Sequence, residues 1–283
     1  MLLKRNSSLA LELVTFSHTV FILPLIFSGY IILASDKMVT KEIVLLLLAA
    51  ISARTIGMLL NRVIDAKIDL KNPRTSSRPI PSGRASKNFL VLFLILSVGI
   101  YFISCWFLCW FVFLLSPIPI ILFTIYPYTK RFTYLCHFFL GATLSLGPIA
   151  GGVAAGCGLE GFYLSLPIAI FTFFWISGFD ILYALQDFEH DISNNIFSVP
   201  SSFGVKPAII VSSFCFACSL GSLCYFFLFF RSNILSITVV SLIAMNFIFQ
   251  IIRSAKKDYS FFVYNSYIGF LILILVISDI LIT

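Results

Sequence analysis

The chain has 283 residues, 60% of them hydrophobic and 11% charged, with a mean hydropathy of +1.05 and a formal charge of +7. Soluble domains carry about 25% charged residues, so the composition excludes a water-soluble globule and indicates an integral membrane protein. The basic excess would suit nucleic acid, but it is distributed as membrane topology distributes charge, and no nucleic-acid partner is expected.

Apolar stretches near the ~20 residues that cross a bilayer as a helix fall at about 16–34, 43–61, 88–107, 109–127, 135–157, 162–182, 207–230, 233–252 and 260–282. They are continuous rather than alternating, which disfavours a β-barrel. The expected fold class is all-α, a polytopic membrane protein with nine transmembrane helices in a single domain, 1–283. The third and fourth spans are hard to divide because Phe89 to Tyr128 contains no charge. The first stretch lacks a small-residue cleavage site after it and reads as a retained helix, not a signal peptide.

With the N-terminus in the cytoplasm, nine spans place Lys4, Arg5, Arg62, Lys67, Lys71, Arg74, Arg78, Arg84, Lys87, Lys130, Arg131, Lys206, Arg253, Lys256 and Lys257 inside. Lys37, Lys41 and Arg231 fall outside, and Arg54 lies within the second span. Fifteen against three is the bias of the positive-inside rule. The expected location is the inner (plasma) membrane of a bacterial cell, crossed many times, with the lipid bilayer as a partner.

Six of the 12 acidic residues are concentrated in two segments, both assigned to the cytoplasmic side. At the end of the second span, Asn61, Asp65 and Asp69 are spaced i, i+4, i+8, which puts them on one helix face. An amide and two carboxylates are hard oxygen ligands suited to Mg²⁺; the bland alternative is a solvated helix end offsetting Arg62 and Lys67. Four spans later, Asp180, Ala184, Asp187 and Asp191 share a face, with Tyr183 one turn before Asp187. Asp180 lies deepest, and a carboxylate near the membrane core is costly and functional by default; its alternative is a hydrogen bond to a neighbouring helix. Glu189 and His190 are expected to face solvent. Two carboxylate arrays facing one cavity would repel unless cations sat between them, and magnesium holding a diphosphate is the simplest such arrangement. The four-helix separation suggests a duplicated unit.

Basic residues supply the counter-charge. Arg presents a planar fork matched to phosphate oxygens, so Arg74, Arg78 and Arg84 in the long loop 62–87 bind either a diphosphate or lipid headgroups. Lys130 and Arg131 follow the fourth span and are either phosphate ligands or a topogenic pair. Arg54, seven residues before Asn61, is buried in its span and needs an anion, which favours a role in the cavity. His18 is expected to make a structural hydrogen bond. Cys215 and Cys218 form C-x-x-C within an apolar span without nearby histidines, which reads as packing rather than a metal or redox pair.

Taken together these residues resemble the UbiA superfamily of intramembrane prenyltransferases. The matching segments are Phe16–Pro24, Ala53-Arg54-Thr55, Asn61–Asp69, Arg74-Thr75, Arg78-Pro79, Tyr126-Pro127 with Lys130-Arg131, Leu140-Gly141 with Gly147-Pro148, Asp180–Asp191 and Ser198–Gly204. The resemblance is greatest to the 4-hydroxybenzoate polyprenyltransferase branch. Asn61-Arg62, where many members carry Asn-Asp, and Gly178–Ala184 are similar to a subgroup tied to menaquinone synthesis, which leaves a naphthoate-type acceptor open. The resemblance implies nine helices around a central cavity with the two motifs in a cytoplasmic cap. It implies Mg²⁺ and diphosphate held by Asn61, Asp65, Asp69, Asp187 and Asp191, and a leaving group neutralised by Lys130, Arg131 and Arg54, with Arg78 and Tyr183 also at the diphosphate. The substrates would be a polyprenyl diphosphate and a small aromatic acid, with Asp180 or Asp191 as the base that removes the ring proton. A transporter would account for buried charge but not for doubled Asp-x-x-x-Asp on one face. A CDP-alcohol phosphotransferase would need a single motif beginning Asp-Gly, which is absent.

Overall fold

The computed structural model describes residues 9–10, 12–13, 16–34, 39–229, 234–256 and 265–282. Lys4, Arg5, Lys37, Arg231, Lys257 and the side chain of His18 lie outside the described residues. All regular structure among the described residues is helical. In chain order the α-helices are α1 Phe16–Ala34, α2 Thr40–Ile64, α3 Ala66–Lys71, α4 Lys87–Leu108, α5 Trp110–Leu115, α6 Pro117–Thr129, α7 Cys136–Gly156, α8 Leu159–Ala184, α9 Phe188–Ser193, α10 Val199–Phe203, α11 Val205–Phe229, α12 Ile234–Ala255 and α13 Tyr267–Ile282.

Seven helical stretches among the described residues are long and apolar enough to cross a membrane: Thr40–Ile64, Lys87–Leu108, Trp110–Thr129, Cys136–Gly156, Leu159–Ser193, Val205–Phe226 and Ile234–Ala255. The first and ninth expected spans are represented by the shorter apolar stretches Ile22–Ala34 and Tyr267–Ser278. Among the described residues seven spans are thus full-length, and nine are not confirmed, since the start of the ninth expected span lies outside the described residues. The uncertain boundary between the third and fourth spans falls at Cys109, whose extended backbone (φ −168°, ψ 155°) ends α4, while its Sγ accepts from Val112 N–H to cap α5. Exposed Leu92, Ile95, Trp106, Trp110, Ile210, Phe214 and Met245 form apolar surface of the kind a bilayer covers.

The chain forms two compact units, one of residues 1–20 and 39–128, the other of residues 21–38 and 129–283. In the first, α2 packs on α4, and the Phe123 ring of α6 lies against Gly57, where an added Cβ would come 2.9 Å from it. Tyr101 donates to Ser116 O at 3.0 Å, tying α4 to the turn between α5 and α6.

In the second unit α8 is the central helix, packed against α7 and α11. Small residues let these backbones touch: at Gly161 an added Cβ would collide with the carbonyl of Gly152 on α7. Serines join α11 to α8, Ser212 donating to Gly178 O and Ser222 to Pro167 O, each at 2.7 Å. Cys215 and Cys218 are free thiols. Farther along, Trp175 Nε1 and Gln250 Nε2 both donate to Asn265 Oδ1, at 2.8 and 3.1 Å.

Candidate active site

The two acidic segments are built alike, and neither is one continuous helix. In the first, α2 stops at Ile64, and Asp65 takes φ −91°, ψ 1° before the six-residue α3 begins. In the second, α8 stops at Ala184, a 3₁₀ turn covers Leu185–Asp187, and Asp187 takes φ −103°, ψ 8° before the six-residue α9. Both aspartates thus occupy the sparsely populated bridge region, where active-site residues often sit. In each segment the second aspartate, Asp69 or Asp191, follows four residues later in the short helix and is buried.

These interruptions correct the expectation of one continuous helix in each segment. At Asp65 the i, i+4 neighbours nevertheless stay together, with Asp65 N bonding Asn61 O and Asp69 N bonding Asp65 O, at 2.9 and 2.8 Å. In the second segment a 3₁₀ turn, which advances more per residue than an α-helix, lies between Asp180 and Asp191, and Asp187 still acts electrostatically on Asp191. His190, expected to face solvent, does not: its side chain is 13% exposed, with Nδ1 3.6 Å from Asp191 Oδ1. Glu189 is exposed as expected.

In the first unit, Asp65 is 2% and Asp69 7% exposed. Asn61 Nδ2 donates to Asp65 Oδ2 at 3.1 Å, a bond that leaves the amide oxygen out. Arg78, expected at a diphosphate, here donates from one guanidinium nitrogen to both Asp69 oxygens, at 3.0 and 2.9 Å. Thr75 Oγ1 bonds Asp69 O at 2.9 Å, fixing the loop that carries Arg78. Arg84 forks onto the Glu12 carboxylate at 2.9 and 2.6 Å and so serves the N-terminal segment; this bond holds the Glu12 carboxyl below the ordinary carboxylate range. Arg74 is exposed. Arg54 keeps a buried Nε without a hydrogen-bond partner among the described residues, and Arg62 is buried within electrostatic reach of Arg54, Arg78, Asp69 and Glu12. Arg78 and Arg62 thus lie close to Asp69, and Arg54 lies within electrostatic reach of Arg62.

In the second unit, Asp191 is 8% exposed, and Asp187, Lys130 and His190 act on it electrostatically. The loop after α6 is tied to the second array by Phe197 N donating to Lys130 O at 2.8 Å and Ile196 N to Asp191 O at 2.9 Å. Arg131 is exposed, and the Tyr183 ring lies 5.9 Å from that of Phe179. Asp180 joins His137 on α7, Nδ1 to Oδ2 at 2.7 Å. The alternative of a hydrogen bond to a neighbouring helix is thus what this carboxylate makes.

Sequence reading passed over three residues here. Arg62 was weighed only as a counter-charge, Gln186 has a buried Nε2 without a hydrogen-bond partner among the described residues, and His137 lies 43 residues from its aspartate. A histidine in the first turn of an apolar span was the available signal for His137; spacing could not pair it.

Among the described residues no three His, Cys, Asp or Glu side chains gather as a ready-made metal centre. Each array offers a pair of buried or half-buried carboxylates. Mg²⁺ takes one or two carboxylates and completes its octahedron with water and phosphate, so the donor set fits it. Softer metals call for imidazole or thiolate.

The described residues thus form a helical protein suited to a bilayer, with an aspartate pair at each of two helix interruptions and basic side chains close to each pair. Residues 22–273 match the UbiA prenyltransferase family. The chain belongs to that family. It is 34% identical over 182 residues to a 4-hydroxybenzoate octaprenyltransferase of Marinomonas sp. (strain MWYL1), the match taking in 63% of each chain. It is 30% identical over 232 residues, 77% of each chain, to the protein of that name from Tolumonas auensis. The first of these matches spans less than two thirds of the relative's length. The fold superposes on the apo structure of a UbiA homologue from Aeropyrum pernix K1 with a TM-score of 0.85 and 26% identity, covering 93% of this chain and 98% of that one. A UbiA homologue from Archaeoglobus fulgidus, solved bound to GPP and Mg²⁺, shares the fold at a TM-score of 0.75 and 19% identity, covering 96% and 99%.

Proposed function

We propose that the chain transfers a polyprenyl group from polyprenyl diphosphate to an aromatic acid, 4-hydroxybenzoate, with the reaction on the cytoplasmic side of the inner membrane. The observation that carries this reading is the matched pair of arrays, Asp65 with Asp69 and Asp187 with Asp191, each starting at a bridge-region aspartate. Family membership and the names of the relatives support it.

Asn61, Asp65, Asp69, Asp187 and Asp191 would hold Mg²⁺, which when bound supplies charge that stabilises the departing diphosphate. Arg54 and Lys130 add fixed positive charge for the same group, joined by Arg78 when it leaves Asp69 and by Arg131 from the loop. The bond from the prenyl C1 to the diphosphate oxygen breaks, leaving an allylic cation that apolar helix walls keep from bulk water. The ring carbon beside the phenolic hydroxyl forms the new bond, and the ring proton passes to a carboxylate, for which Asp180 is the candidate. The Asn61-Arg62 form of the first motif favours a naphthoate-type ring as the second acceptor to test.

The experiment is a reconstitution: purified protein, Mg²⁺, a long-chain prenyl diphosphate and a panel of aromatic acids, with products read by mass spectrometry. A prenylated hydroxybenzoate is the expected product. A prenylated naphthoate would reassign the acceptor, and no prenylated product with any acid would overturn the reading.

A further inference from the structure

We infer that His137 is a positioning residue that fixes the charge, proton and rotamer of the Asp180 carboxylate and ties it to the segment that follows the second aspartate array. The ring is 2% exposed, and both of its nitrogens are used. Nε2 accepts from Val199 N–H at 3.2 Å, and Nδ1 lies 2.7 Å from Asp180 Oδ2. A backbone N–H only donates, so Nε2 carries a lone pair and the proton of the neutral ring sits on Nδ1. Nδ1–H therefore donates to Asp180, which favours the ionised carboxylate over the acid.

The second oxygen, Oδ1, makes no hydrogen bond with the described residues, and the Asp180 side chain remains 29% exposed. The carboxylate thus has one oxygen held and one available.

Val199 is the first residue of α10, whose N-terminus is closed by a reciprocal Ser198–Ser201 capping box. The opening N–H groups of a helix lack partners within it, and His137 satisfies the first of them. The strap between Asp191 and Val199 is bonded to Asp191 and to Lys130. A single ring therefore links α7, α8 and that strap. Outer partners that orient metal-binding side chains are typically worth about 10–100-fold in affinity or activity, and an effect of that order is expected of a partner that orients Asp180.

This inference rests on the reading that Asp180 takes part in the reaction, and the test separates the two. Prenyl transfer is measured for Asp180→Asn, His137→Leu, His137→Gln and the Asp180→Asn/His137→Leu double variant, all checked for monodisperse extraction. Glutamine offers an N–H to Asp180 and a carbonyl to Val199, as the ring does. His137→Leu is expected to lose roughly 100-fold in kcat, with KM for the prenyl diphosphate within about threefold of the parent. His137→Gln is expected to recover most of that loss, and the double variant to be no worse than Asp180→Asn alone. If Asp180→Asn is inactive while His137→Leu matches the parent, the positioning role is overturned. An effect of His137→Leu confined to KM, or no recovery in the glutamine variant, overturns it too. An active Asp180→Asn would instead remove the role of Asp180 and this inference with it. Should the leucine variant not fold, His137→Met takes its place with the same expectations.

Discussion

Asp65 and Asp187 each sit where a long apolar helix gives way to a six-residue helix, in bridge-region backbone, and the proposed function makes both carboxylates metal ligands. Replacing either carboxylate by an amide keeps the shape and removes the charge. Asp65→Asn and Asp187→Asn are each expected to lower prenyl transfer by at least about 100-fold, while the proteins still insert and extract as the parent does. Near-normal turnover in both would mean that the arrays do not hold the metal. Arg78 complicates a simple residue count: it is bonded to Asp69 here, so its service to a diphosphate requires it to exchange partners.

The elements that carry these residues are placed by backbone contact. Along α7 and α8 the glycines are not interchangeable with alanine, since a Cβ on Gly161 would meet the Gly152 carbonyl rather than a side chain that could swing away. Overpacking of this kind costs about 1–3 kcal/mol. Gly161→Val should therefore melt at lower temperature in detergent than the parent, and prenyl transfer should fall with the folded fraction. A variant as stable as the parent would show that the two helices can part without penalty. Nearer the His137–Asp180 pair, which joins the same two helices, an added Cβ on Gly141 would collide with Phe173 O.

For the whole molecule, hydropathy accounts for the membrane class, and the proposed ligand is open to a thermodynamic test. A ligand that binds only the folded state raises its stability by RT ln(1 + [L]/Kd), about 2.7 kcal/mol at a hundred times Kd. Prenyl diphosphate together with Mg²⁺ is expected to raise the melting temperature by several degrees, and chelation with EDTA to abolish the rise. A shift that survives EDTA would argue for binding through the arginines and apolar walls without metal.

Most helix positions and the two acidic segments were legible in the sequence because each is a local property, whereas the chargeless run from Phe89 to Tyr128 gave no local signal for the break at Cys109. Continuous apolar runs set span lengths, and carboxylates clustered in an oily chain stand out against their surroundings. What local pattern left open was everything that depends on a partner remote in the chain. Arg78 closed on Asp69 across nine residues, and His137 met Asp180 across 43. Periodicity assumes one uninterrupted helix, whereas a buried charge is settled by whichever donor the packing brings within hydrogen-bond reach, and only the tertiary structure decides which that is.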